Sequence, residues 1–209
     1  MHVYNWHEVA ERLNKHQQKT EATRKKLLAA GLRVFSRDGF ERSRLEDIAA
    51  EAGHTRGAFY ANFASKEDLF IALLESQAAK RFALMSKALK ENSGKEDWHQ
   101  TIREYYKNRA KDHQWYILTL EFKLYALRHS EHRARFTAAH RRIREAFHLQ
   151  LTSLKGISPV GSKSEQHAKI LLEVVAGGLI LEHAYDPKRI SAEEVAHLLG
   201  KIFDIMTRP

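Results

Sequence analysis

A chain of 209 residues with 43% hydrophobic content can bury a real core, and with only three prolines its long unpunctuated stretches point to an all-α fold rather than to disorder or strands. A formal charge of +9 favours a polyanionic partner, nucleic acid before an anionic membrane, and the absence of cysteine excludes disulfides and thiolate chemistry. Basicity is not confined to one end. Residues 19–66 hold ten basic against six acidic residues and 131–156 hold six against two, the second expected to be a solvated helix face.

Residues 1–19 are polar with Val3, Trp6, Val9, Ala10 and Leu13 at roughly helical spacing, which suits either a mobile arm or a short extra helix. From Thr20 to Arg37 the periodicity predicts a helix with Leu28, Leu32 and Phe35 as its apolar stripe, flanked by Leu27, Gly31 and Val34. Asp38-Gly39 ends it, because glycine adopts the left-handed conformation that closes a helix. Four serines, each followed three residues later by an acid, read as capping boxes: Ser43/Glu46, Ser65/Asp68, Ser162/Glu165 and Ser191/Glu194. Short helices are expected at 45–52 and 55–62, and longer ones at 66–91, 96–110, 113–128, 131–155, 163–184 and 192–206. That makes about nine helices, with clear breaks at Asn92-Ser93-Gly94 and Gly156–Gly161.

Leu45 to Phe63 is the informative segment, two short helices around a turn centred on Gly53, which is how a helix-turn-helix reads. Leu45, Ile48, Ala49 and Ala52 form a narrow apolar face on the first helix, while Phe59 and Phe63 anchor the second from behind. The opposite face of the second helix is Thr55, Arg56, Gly57, Ala58, Tyr60 and Asn62. Its leading turn is slim enough to fit a major groove. Arg56 suits a guanine O6/N7 pair, the methyls of Thr55 and Ala58 suit thymine, and Tyr60 suits a phosphate. Ser43 and Lys66 stand at helix N-termini that also favour phosphate, and Arg44 is a further backbone or minor-groove candidate.

Gly39-Phe40, Asp47-Ile48-Ala49, Ala52-Gly53, Thr55 through Phe63 and Ser65-Lys66-Glu67-Asp68-Leu69-Phe70 resemble the N-terminal signature of the TetR family. The resemblance covers roughly residues 20–70. It implies a three-helix DNA-binding head, a linking fourth helix, and later helices for ligand sensing and dimerisation. Two positions depart from the pattern: His54 stands where an apolar residue is usual, and Arg44 where a small hydroxyl residue is common. His54 reads as a packing or turn residue, or as a phosphate contact. The expected division is 1–19 as arm or extra helix, 20–66 as the head, and 67–209 as the ligand-binding and dimerisation domain.

Beyond the head, Trp98, Tyr105, Tyr106, Trp115, Tyr116, Phe122, Tyr125, Phe136 and Phe147 form an aromatic set. Most of it reads as helical core. Trp98, Tyr105, Trp115, Phe122, Tyr125 and Phe147 are the candidates for lining an apolar ligand pocket. Glu121 inside the apolar stretch would either face a cationic ligand or pair with an arginine, since a lone buried carboxylate is costly. The segment Val174–Leu181 is apolar on nearly all sides, and the last helix has a wide apolar stripe. Val174, Gly177, Gly178, Leu181, Leu198, Leu199, Ile202 and Phe203 are therefore expected at a two-fold homodimer interface.

Enzymatic readings are weaker. His7-Glu8-Val9-Ala10-Glu11 lacks the second histidine of a zinc H-E-x-x-H, and Gly156–Gly161 followed by Ser162-Lys163 places its lysine one position late for a phosphate-binding loop. No metal or cofactor is expected. Neither a signal segment nor a membrane span is expected, and the location is expected to be cytoplasmic. The expected function is a sequence-specific repressor of double-stranded DNA, released from a palindromic operator by a small apolar or amphipathic effector. The alternative is a structural or partner-regulated DNA binder of the same fold without such a ligand.

Overall fold

The computed structural model describes residues 6–91, 104–105, 107–108, 110–152 and 163–207, with side chains over a narrower set. Among them, the labelled elements are helices: α1 (Trp6–Asp38), α2 (Leu45–Glu51), α3 (Arg56–Tyr60), α4 (Lys66–Glu91), α5 (His113–Arg128), α6 (Ser130–Thr152), α7 (Lys163–Tyr185) and α8 (Ala192–Thr207). The described part of the expected 96–110 segment, residues 104–105, 107–108 and 110, is helical too. The chain divides into two compact units, Met1–Glu75 and Ser76–Pro209, rather than at residue 66; the division falls within α4.

In the first unit α1 packs on α2, and α2 on α3. The first helix begins at Trp6 rather than Thr20, since residues 6–20 contain no glycine or proline to interrupt it. Its buried line is Leu27, Ala30, Val34 and Phe35, whereas Leu28 and Leu32 are only half-buried. Gly31 explains the rotation: it lies against the Leu69 side chain of α4, where a Cβ would overlap that residue. Phe35, Phe40 and Phe70 meet with centroids 5.2–5.8 Å apart, two of the three pairs edge-on, an arrangement their ring quadrupoles favour. Phe40 reaches this cluster because Gly39 turns the chain at φ +78°, its N–H still bonded to the Phe35 carbonyl at 2.9 Å.

In the second unit α5 packs on α6 and α7, and α7 packs on α8. Ala110, Ala176, Ile180, Ala192, Val195 and Leu199 form its buried cluster, with Tyr105, Tyr116 and Leu179 among the residues packed around it. Small residues at 110, 176 and 192 permit that close approach. A separate aromatic group joins α5 to α6, with Phe122 and Phe136 at 4.6 Å and Phe136 and His140 at 4.4 Å. The start of α8 is a complete capping box: the Ser191 N–H donates to the Glu194 carboxylate at 2.7 Å, and the Glu194 N–H donates to Ser191 Oγ at 3.1 Å. At α4 the Asp68 N–H donates to Ser65 Oγ at 3.1 Å. The Ser162/Glu165 pair and the Gly156–Gly161 and Asn92–Gly94 breaks lie outside the described residues, as do the side chains of His7–Glu11.

Candidate nucleic-acid interface

The turn between α2 and α3 is a backbone motif closed on itself. The Gly53 N–H donates to the Ala50 carbonyl and the His54 N–H to the Ala49 carbonyl, both at 2.9 Å, while Gly53 takes φ +69°. This double closure satisfies carbonyls at the end of α2 and needs a residue free of Cβ strain at position 53. His54 follows as the half-buried residue of the turn, its Nε2 buried without a hydrogen-bond partner. Thr55 then caps α3: its Oγ1 accepts from the Ala58 N–H at 3.2 Å, so it stands before the helix rather than within it.

The five residues of α3 are held by one side. Phe59 is fully buried and Phe63 nearly so, their rings 5.8 Å apart. The other side faces solvent: Thr55, Arg56 and Gly57 are exposed, Tyr60 is half exposed, and Ala58 is intermediate. Apart from its chain neighbours and the backbone of α3 itself, a Cβ at Gly57 would meet, among the described residues, only Thr55 Oγ1 at 3.7 Å, so the leading turn is slim and open. Arg56 is 64% exposed and held as a fork. One guanidinium nitrogen lies 3.2 Å from Glu46 Oε1, the other donates to the Tyr60 hydroxyl at 3.4 Å, and the guanidinium carbon sits 5.5 Å from the Tyr60 ring centroid. Tyr60 first and Glu46 after it raise the pKa of Arg56, reinforcing its positive charge. Arg44 is exposed and is the N-cap residue of α2, with no side-chain cap.

Three expected site residues bond within the unit. Ser43 is buried: its hydroxyl reaches back to the carbonyls of Gly39 and Val34, so it does not cap α2 with Glu46. Its hydroxyl thus bonds to backbone where α1 ends and the chain turns at Gly39. Lys66 is half-buried, and its ammonium donates to the carbonyls of Phe40, Glu41 and Ser43 at 3.1, 2.9 and 3.3 Å while lying 4.7 Å from the Phe40 ring centroid. Burial lowers its pKa, and Glu67 and Glu41 oppose that shift. It ties the α1–α2 loop to the start of α4. Asn62 is half-buried, its amide donating to the Ala58 carbonyl at 2.8 Å.

Arg24 is a further residue of this surface, not among those expected there. From α1 its guanidinium donates to the Asn62 carbonyl at 2.9 Å and stacks 4.2 Å from the Phe63 ring centroid, closing the C-terminal end of α3. Its position on the edge of the α1 stripe was the available signal, but it is 38 residues from its partner. Glu46 was also assigned to capping and instead faces Arg56.

In the second unit the proposed pocket residues separate. Trp115 and Phe122 are buried, Tyr125 is intermediate, and Tyr105 packs on the α7–α8 cluster. Glu121 is exposed: Trp115, Leu118, Thr119, Phe122 and Ala126 define the buried side of α5, and position 121 lies off it. Trp98 and Tyr106 and the side chains of Phe147 and Phe203 lie outside the described residues. An open groove of about 420 Å³ runs beside Leu179, Glu182, Ile190, His197 and Leu198, with no Phe, Tyr or Trp of the described residues in its lining. Of the expected interface residues, Val174, Gly178, Leu181 and Leu198 are exposed and Ile202 is intermediate. Gly177 and Leu199 are buried within the unit, Gly177 against Tyr116 and Leu199 in the core cluster, because these sides of α7 and α8 pack on their own chain. Among the described residues no group of three or more histidines and carboxylates is placed to hold a metal ion, and no helix is long and apolar enough to cross a membrane.

Residues 27–73 match the family model described as bacterial regulatory proteins, tetR family. The HTH-type transcriptional regulator YwcC of Bacillus subtilis is 38% identical over 68 residues, 32% of this chain and 30% of that protein. The HTH-type transcriptional regulator AcrR of Shigella flexneri is 43% identical over 61 residues, 29% of this chain and 28% of that protein. The chain thus matches less than a third of the length of these two curated relatives. The fold resembles that of the transcriptional regulator FadR from Bacillus subtilis, solved in complex with stearoyl-CoA. The TM-score is 0.62 at 19% identity, covering 88% of this chain and 97% of that one.

Proposed function

We propose, from the premise that the chain belongs by residues 27–73 to the TetR family of bacterial regulatory proteins, that it is a sequence-specific repressor that binds double-stranded DNA as a homodimer. The observation that carries this is α3: Phe59 and Phe63 hold it from behind while Arg56, Gly57, Ala58 and Tyr60 stand clear on its other side. Such a helix can lie against base edges, Arg56 meeting a guanine, Thr55 and Ala58 meeting thymine methyls, and Tyr60 meeting a phosphate. Arg44, exposed at the start of α2, would meet the DNA backbone or minor groove. Dimerisation is supported by an exposed apolar line on α7: Ile170, Leu171, Val174, Leu181 and Tyr185 leave a surface that water does not favour.

The effector is a small apolar or amphipathic molecule, a class to which the stearoyl-CoA of the similarly folded FadR belongs. An effector that fits the second unit better in a DNA-incompetent state shifts the population away from binding, and α4, whose residues belong to both units, is the segment able to carry that coupling. The partner-regulated alternative draws on one observation: among the described residues Tyr105 and Tyr116 belong to one packed group and Phe122 and Phe136 to another, and no Phe, Tyr or Trp lines the open groove. Selection of bound duplexes from a random pool by the full chain tests the main reading. The expected result is a palindrome with half-sites centred about 34–36 Å apart. No enrichment over input would overturn it. Operator affinity unchanged by any ligand that binds the second unit would favour the partner-regulated alternative.

A further inference from the structure

We infer that Glu46 is a specificity-determining residue of the α3 surface, acting on Arg56; this rests on the proposed reading of that surface as one that meets duplex DNA. Of the three expected capping boxes that fall within the described residues, Glu46 belongs to the one whose serine turns inward to bond elsewhere. Freed from capping, it stands 54% exposed in the first turn of α2, with Oε1 3.2 Å from the guanidinium of Arg56. The pair therefore brings α2 and α3 together on the solvent side of the motif, beside Thr55 and Tyr60.

A carboxylate at that position distinguishes two kinds of acceptor. Phosphate oxygens carry charge and approach Glu46 well inside the screening length of about 10 Å at 0.1 M salt, so they are repelled as they compete for Arg56. The guanine edge is neutral. It offers O6 and N7 together to the guanidinium fork and meets no such repulsion. Tyr60 holds the fork from the other side, at 3.4 Å, so Arg56 stays extended instead of sweeping the nearest phosphates. Glu46 thus lowers affinity for DNA of any sequence more than affinity for the correct one.

The experiment compares wild type, Glu46→Gln, Arg56→Ala and the double variant on two probes across a salt series. One probe is the duplex that wild type selects from a random pool, the other a scrambled duplex of equal length. Glu46 is exposed, and far-UV circular dichroism checks that each variant is folded. Glu46→Gln is expected to tighten binding to the scrambled duplex on the order of tenfold near 0.1 M salt, the value of one added phosphate contact, and to steepen its salt slope by about 0.9. Affinity for the selected site should change less than threefold, so the specificity ratio falls. In the Arg56→Ala background the same change should have little effect, since the carboxylate acts through that side chain. If Glu46→Gln shifts both probes equally, or acts as strongly without Arg56, this inference fails while the DNA-binding reading stands. If wild type selects no sequence at all, that reading falls and the inference with it.

Discussion

Replacing Lys66 by methionine separates two roles that a lysine at the start of a helix can play. Methionine keeps most of the stem and removes the ammonium that donates to the Phe40, Glu41 and Ser43 carbonyls. A hydrogen bond to a charged group contributes about 1.5–3 kcal/mol net. Three such bonds do not add to three times that value, because the ammonium gives up water to enter its half-buried position and the exposed Glu41 bond is replaced by solvent on truncation. The Phe40 and Ser43 carbonyls are partly buried and recover less, which leaves an expected loss of about 2 kcal/mol. Urea unfolding of the full chain should show a lower midpoint with unchanged slope. Binding to the selected duplex should weaken modestly with its salt slope preserved, because no phosphate contact is removed. A slope shallower by about 0.9 with undiminished stability would refute the reasoning and return Lys66 to the phosphate backbone.

Arg56→Ala should weaken binding to the selected duplex by about 1–3 kcal/mol and relax the preference at a guanine position, read by repeating the selection; an unchanged consensus would count against the α3 assignment. Val174 is 66% exposed in the apolar line of α7, so Val174→Glu places two like charges in a self-complementary patch and should shift sedimentation toward monomer without loss of helicity. A dimer of undiminished stability would move the interface elsewhere. His140 is pushed down to about 4, first by burial and then by Lys123 and Arg144. Because the unfolded imidazole titrates near the ordinary value of 6.5, unfolding takes up a proton between those two pH values and stability falls as pH drops through that window, by at most about 1.4 kcal/mol per pH unit. His140→Phe should flatten that slope in urea titrations between pH 7 and 4.5, and an unaltered slope would assign the titration to another group.

Legible in the amino acids alone were the helical class, the left-handed Gly39, the turn centred on Gly53, and the slim α3 with Phe59 and Phe63 behind it. These follow from local rules: a helix ends where glycine relieves Cβ strain, and apolar residues four apart share a face. The Ser191/Glu194 box was legible for the same reason, since both partners lie within one turn. Tertiary structure alone decided the fate of polar groups whose partners are distant along the chain. Ser43 and Glu46 carry the pattern that Ser191 and Glu194 carry, but the Gly39 and Val34 carbonyls claim the serine and Arg56 claims the acid. Lys66 and Arg24 look like surface cations until they meet carbonyls 23–38 residues away. Likewise, Gly177 and Leu199 were indistinguishable from interface residues on helices apolar over wide faces, and packing within the chain turned them inward. Spacing says which residues share a face; which surface that face meets depends on long-range packing that no local pattern encodes.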